Sequence, residues 1–383
     1  MTKILFLVAN LNYGGLAKQL TLTARGLPHD RFQVRVVVLG QDGPLSQPLR
    51  AAGLEPDCLG WSRRLNIAPL RRWRQLVKNF QPDVIHAWGW PAFRTDALLT
   101  GRTRGQPVLP EPPRLVANLS LTSHPQGTGW HWLDRWLLKQ VDRVVTAPPF
   151  EVGSWQRLGV GAEKIRVIAA GVDLASSAGA ETNGQPSPGD RPLPPATLNL
   201  PSNTHFLACV GPLEAAKGFR NALWAFDILR CLYKELHLLV IGEGPDRSRL
   251  EEFAQAIGVA RQVHFVGPQA DVAALLARAE VVLVPSQANR GVNAVLEAMA
   301  AGRPVVASRC PALAEVVVDE ETGLLTPPGD QAAFARQIRR LLDQPDLGRR
   351  LGEAGRARAA AHFAAHDQVA HYLRLYDELP RPT

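Results

Sequence analysis

Short, uninterrupted apolar runs alternate with helical patterns from one end of the chain to the other. This alternation constrains the fold more than any single residue. "KILFLVA" (3–9) is followed by "GGLAKQLTLTARGL" (14–27), where Leu16, Leu20, Leu22 and Leu27 fall near helical spacing. Then come "FQVRVVVLG", a helix around "PLSQPLRAAG", and "PDVIHAW". The order returns from residue 205 in "HFLACVG", "NALWAFDILRCL", "HLLVIGEG", "RSRLEEFAQAIG", "VHFVG", "DVAALLARA", "VVLVPS", "NAVLEAMAAG" and "PVVAS". Strands apolar throughout and separated by helices predict a parallel sheet covered on both faces.

The pattern occurs twice, and 383 residues are too many for one ordinary core. The two runs are separated by "LASSAGAETNGQPSPGDRPLPPATLNLPSN" (174–203), dense in Pro, Gly, Ser and Ala, with little to bury. It predicts a linker or surface insertion. The chain therefore reads as two Rossmann-like α/β domains, 1–173 and 204–361. A final helical segment within 362–383 carries Phe363, Val369, Tyr372, Leu373, Leu375 and Tyr376.

Apolar stretches such as "ILFLVA" and "VVLV" fall far short of the about 20 residues that span a bilayer. The N-terminus reads as a first strand rather than a signal peptide. Cys58, Cys209, Cys231 and Cys310 form no C-x-x-C pair, which argues against a zinc site or disulfide framework and fits a reducing cytoplasm. A net charge of +8 favours anionic partners: phosphorylated substrates, acidic lipid surfaces or nucleic acid. Without zinc-finger spacing, an aromatic RNA-binding signature or basic heptads, nucleic acid is not expected as a partner.

Parallel sheets bind ligands where strand ends lead into helix N-termini. Four such loops stand out. In "NLNYGGLAK", Gly14 and Gly15 allow close backbone approach to a phosphate, or simply make a strand-to-helix turn. In "VGPLEAAKGF", Lys217 precedes Gly218 at a helix start, placed to meet a diphosphate or merely solvated. In "VIGEGPDRSRLE", Gly242 and Gly244 make a turn before Pro245. In "PSQANRGVNAVLEAMAAG", Gly291 is the loop's one glycine and Asn293 the expected N-cap. Amides from Val292 onward face the space above the strand ends, and Glu297 in the early helix is able to accept from a ribose.

"NAVLEAMAAGRPVVAS", "VIGEGPDRSRLE", "ETGLLTPPGD" and "EKIRVIAAGVD", in the order this chain has them, resemble the group 1 (family 4) glycosyltransferases, as does "GGLAKQL". The resemblance implies the GT-B architecture, with two Rossmann-like domains facing a cleft and the last helix crossing back to the first domain. It also implies a UDP- or GDP-sugar donor, no cofactor, metal-independent transfer with retention, and a glycan, lipid or small-molecule acceptor. No D-x-D motif occurs. Carried over by position, Lys217 and Gly218 match the diphosphate motif, with Gly211 before them. Glu297 matches the ribose glutamate, and the Gly14–Gly15 loop is expected to close the cleft.

Three positions depart from the family. Asn289 stands where the family has the first of two glutamates eight positions apart, and Arg290 beside it reads either as a solvated loop arginine or as a substitute charge. Pro212 replaces an arginine, and Ser120 occupies a position that is often histidine, with His124 four residues later. The departures leave two further readings open: a degenerate scaffold that binds a nucleotide-sugar or glycan, and a sugar-nucleotide epimerase.

Residues 61–80, "WSRRLNIAPLRRWRQLVKNF", hold six cations and no acid. They read as a peripheral contact with an anionic membrane at its cytoplasmic face, or as a sheet-covering helix with a basic outer side. In "GWHWLDRWLLKQVDRVV", Trp132, Leu133, Trp136 and Leu137 read as core packing.

Overall fold

The computed structural model describes residues 1–61, 68–99, 109, 111–121, 131–174 and 204–380. It divides into two units, Met1–Ala170 with Ala365–Thr383, and Gly171–Ala364. Of the expected linker 174–203, residues 175–203 lie outside the described residues.

Among the described residues, the first unit holds seven parallel strands: β1 Thr2–Val8, β2 Phe32–Val38, β3 Asp57–Cys58, β4 Val84–Trp88, β5 Arg114–Asn118, β6 Arg143–Thr146 and β7 Ile165–Val167. Their order is β3-β2-β1-β4-β5-β6-β7. Side chains alternate between the faces. Leu5, Leu7, Val37, Ile85 and Ala87 pack with Trp73, Leu76, Trp90 and Phe93 of helices Ala68–Phe80 and Trp90–Leu99. Ile4, Phe6, Val8, Val36 and Trp88 pack with Leu20, Ala24, Tyr372 and Tyr376 of helices Gly15–Gly26 and Ala365–Asp377.

Polar contacts also hold the C-terminal helix to this unit. Tyr376 Oη lies 2.7 Å from His86 Nδ1, Asn118 Nδ2 donates to Tyr372 Oη at 2.7 Å, and Gln368 Nε2 donates to Gln19 Oε1 at 2.7 Å.

Two aromatic residues depart from the sequence reading. On helix His131–Leu138, Leu133 and Leu137 are buried, but Trp132 and Trp136 are 73% and 41% exposed. Each pair lies four residues apart on one side of the helix, and only one side faces the core. Helix Ala68–Phe80 buries Pro69, Trp73, Leu76, Val77 and Phe80 and turns Arg71, Arg72, Arg74 and Lys78 outward. Its apolar residues are thus core, and its outer side is charged. Arg63 and Arg64 lie outside the described residues. No helix among the described residues is long and apolar enough to cross a membrane.

Among the described residues, the second unit has six parallel strands: β8 His205–Val210, β9 Leu236–Ile241, β10 Val263–Gly267, β11 Val281–Val284, β12 Val305–Ser308 and β13 Leu324–Thr326. Their order is β10-β9-β8-β11-β12-β13. In both sheets the strand order reverses once, at β1/β4 and at β8/β11. Such a reversal opens a crevice at the carboxyl ends of the strands.

Candidate functional site

At the β8/β11 reversal, two loops are stitched together. Gln287 N and Ser286 Oγ both donate to Ala216 O, at 3.1 and 3.2 Å. Gly218 adopts φ 70°, and a Cβ there would stand 1.9 Å from Pro285 O. Only glycine lets the backbone after β8 come this close to the end of β11. Gly218 also starts helix Phe219–Arg230, so Lys217 is held in the loop between β8 and that helix.

The Lys217 side chain lies along Gly211: a Cβ at Gly211 would stand 3.6 Å from Nζ and 3.7 Å from Cε. Burial lowers the Lys217 pKa and the Arg290 cation lowers it further, while Glu214 and Glu297 push it up. Arg290 Nη1 donates to Glu214 Oε2 at 2.6 Å. Lys217, Arg290, Glu214 and Glu297 therefore form one electrostatic cluster, drawn from the loops after β8 and β11 and the helix that follows.

That helix, Val292–Ala300, starts differently from the sequence expectation. Its N-cap is Gly291, at φ 110°, and Asn293 is its second residue. A Cβ at Gly291 would stand 2.6 Å from Val284 Cγ1. The left-handed conformation and the close β11 contact both require glycine, so the asparagine falls inside the helix. Val295 N bonds Gly291 O, and the amides ahead of it form the positive end of the helix dipole. Beside two cations, this is the part of the unit best suited to an anion.

Asn289 has a structural duty. Its Oδ1 accepts from Ala312 N at 3.1 Å, in the first turn of the short helix Pro311–Ala314. Gly242 and Gly244 serve close packing of the neighbouring loop. Added Cβ atoms would stand 2.1 Å from Gly211 O and 2.4 Å from Leu213 O, and Leu213 N donates to Glu243 O at 3.0 Å. The loop holding Pro212 is thereby fixed from behind.

In the first unit, Gly14 has φ −165°, an extended conformation open to any residue, and its nearest neighbour to an added Cβ is Asn12 O at 3.9 Å. Helix Gly15–Gly26 follows at once. The Ser120 hydroxyl donates to Glu151 Oε1 at 2.7 Å. Glu151 is 2% exposed and also accepts from Thr146 Oγ1 at 2.7 Å and Leu121 N at 3.1 Å. Ser120 is thus clamped to a buried carboxylate that the sequence reading missed; its only signal was an acid in the apolar run "APPFEVGSW". His124 lies outside the described residues. Among the described residues, no group of three His, Cys, Asp or Glu side chains is arranged to hold a metal.

Two family models match the chain: glycosyl transferases group 1 over residues 190–358, and glycosyltransferase family 4 over 13–176. A glycogen synthase of Mycobacterium tuberculosis is 28% identical, over 80% of this chain and 72% of the relative. A D-inositol 3-phosphate glycosyltransferase of Salinispora arenicola is 31% identical, over 77% of this chain and 68% of the relative. Among solved structures, Anabaena HepE in complex with UDP and glucose superposes with a TM-score of 0.81 at 20% identity, covering 99% of this chain and 100% of that one.

Proposed function

Because the chain belongs to the group 1, family 4 glycosyltransferases and has the GT-B fold, we propose that it transfers a sugar from a UDP- or GDP-sugar with retention and without a metal. The observation that carries this reading is the charged cluster at the β8/β11 reversal. Lys217, Arg290 and the first-turn amides of helix Val292–Ala300 stabilise the departing diphosphate. Glu297 accepts from the ribose hydroxyls, and the Asn289 amide nitrogen faces the sugar while its oxygen holds Ala312 N. The complex of HepE with UDP and glucose favours a uridine donor. The named relatives, a glycogen synthase and a D-inositol 3-phosphate glycosyltransferase, point to no common acceptor, so the acceptor must be found by screening. The protein works from the cytoplasmic side, where Arg71, Arg72, Arg74 and Lys78 meet an anionic membrane by charge alone.

The test is a mass-spectrometric screen of UDP- and GDP-sugars for transfer or hydrolysis, with a chelator present and the product anomer read by NMR. Lys217→Ala and Glu297→Ala are each expected to weaken donor binding by at least about 1.5 kcal/mol in calorimetry. Unchanged affinity in both variants removes the site assignment. Binding without turnover of any donor returns the chain to the scaffold reading.

A further inference from the structure

Outside the donor site, the described residues contain an open groove of about 470 Å³ on the outer side of the first unit, lined by Arg35, Asp57, Arg71, Arg72, Gln75, Leu76 and Asn79. Its floor is the β2/β3 edge, where Val37 pairs with Asp57, and its wall is helix Ala68–Phe80. Sequence pattern alone does not reveal it. Arg35 comes from the middle of β2, and lines the same groove as the helical arginines.

The charges do not cancel. Arg35 Nε donates to Asp57 Oδ2 at 2.6 Å, and its guanidinium sits 5.8 Å from the Phe80 ring centroid. Asp57 is thereby neutralised and Arg35 held in place. Asp42 and Glu55 are both paired with Arg50, at 2.6 and 2.9 Å. Arg71 and Arg72 form no ion pair with a carboxylate among the described residues. Gln75 Nε2 donates to Asn79 Oδ1 at 2.8 Å, which orients both amides and leaves Asn79 Nδ2 a donor.

We propose that this groove binds a phosphate group, held by Arg71, Arg72 and the Asn79 amide over the Arg35–Asp57 pair. Guanidinium forks match phosphate oxygens in pairs, which a diffuse lysine-rich surface does not. The phosphate belongs either to an anionic lipid headgroup or to a soluble phosphorylated compound. The groove rests on the reading of this side as anion-facing and narrows it to a discrete site.

The experiment titrates the full chain with inorganic phosphate while following the arginine Nε–Hε and side-chain amide NMR signals. In parallel, it measures co-sedimentation with phosphatidylcholine vesicles with and without phosphatidylglycerol. Three variants are compared: Arg71→Gln/Arg72→Gln in the groove, Arg74→Gln/Lys78→Gln with the same charge loss on the same helix, and Lys217→Ala at the donor site. The groove variant is expected to lose at least tenfold in phosphate affinity, while the other two retain it. Vesicle binding lost in the same variant assigns the phosphate to lipid; phosphate binding without vesicle binding assigns it to a soluble compound. Equal losses in the two helix variants overturn the groove in favour of a diffuse field. Loss only in Lys217→Ala places the phosphate at the donor site and also overturns the proposal, as does vesicle binding with no phosphate site. Failure of donor binding with this pattern intact counts against the transferase reading alone.

Discussion

Arg290 Nη1 stands 2.6 Å from Glu214 Oε2, tying the loop after β11 to the loop after β8 across 76 positions of sequence. Both side chains remain about one-third or more exposed, at 33% and 40%, so the pair adds little to stability. Its consequence is electrostatic. The cation lowers the Lys217 pKa and the carboxylate raises it.

Activity that needs the Lys217 cation is present below its folded-state pKa and lost as pH rises through that value. Arg290→Ala removes a repelling charge and is expected to move the alkaline limb of kcat/KM to higher pH. Glu214→Gln removes an attracting charge and moves it lower. Profiles between about pH 7 and 10 test this. A limb that moves the same way in both variants belongs to a different group.

At position 289 the question is whether asparagine marks a loss or an adaptation. Its oxygen is committed to Ala312 N, so Asn289→Ala should destabilise the second unit by about 1 kcal/mol, seen in urea melts. Asn289→Glu restores the acid the family carries, and is expected to raise turnover of some sugar nucleotide by up to about tenfold. A fall in an existing activity would mean that asparagine suits this chain's own donor.

Glycines that look alike in sequence differ in what they do. Gly218→Ala places a Cβ against the Pro285 carbonyl in a left-handed conformation, and should cost at least about 2 kcal/mol along with donor binding. Gly14→Ala meets neither obstacle and should change stability by less than about 0.5 kcal/mol. If Gly14→Ala nevertheless lowers kcat/KM at unchanged stability, then Gly14 serves close approach of a ligand.

The two sheets were legible because the central strands carry mainly apolar runs, as a parallel sheet buried on both faces requires; the two-residue edge strand Asp57–Cys58 carries none. The positions of Lys217 and Gly218 in a strand-to-helix loop, and of Glu297 in the helix after β11, were legible because short motifs mark those turns. Contacts between distant segments were not. Glu214 reads as one more loop acid until Arg290 arrives from another loop, and Glu151 gives no sign that it clamps Ser120. Asn293 failed as an N-cap because local propensity yielded to a tertiary contact: Gly291 must pass Val284, and only glycine does so at φ 110°. Trp132 and Trp136 failed because hydrophobicity alone does not say which side of a helix meets the core.

The C-terminal helix carries a pH liability. His86 is fully buried among Phe6, Trp88, Tyr372 and Tyr376, with Tyr376 Oη at Nδ1 and no partner for Nε2. Burial pushes its pKa down to about 3, from an ordinary value near 6.5. Above that ordinary value the ring is neutral whether the chain is folded or not, and pH has no effect through this residue. As pH falls below it, the unfolded chain takes up a proton that the fold refuses, so stability is lost steadily down to about pH 3. At pH 5 the loss is about 2 kcal/mol. Urea melts that follow the first unit between pH 8 and about 4.5 should show this slope, and His86→Gln should remove it while lowering stability at pH 8. Tyr376→Phe keeps the imidazole buried and should keep the slope. A wild-type stability flat from pH 8 to 5 would mean that His86 protonates within the fold.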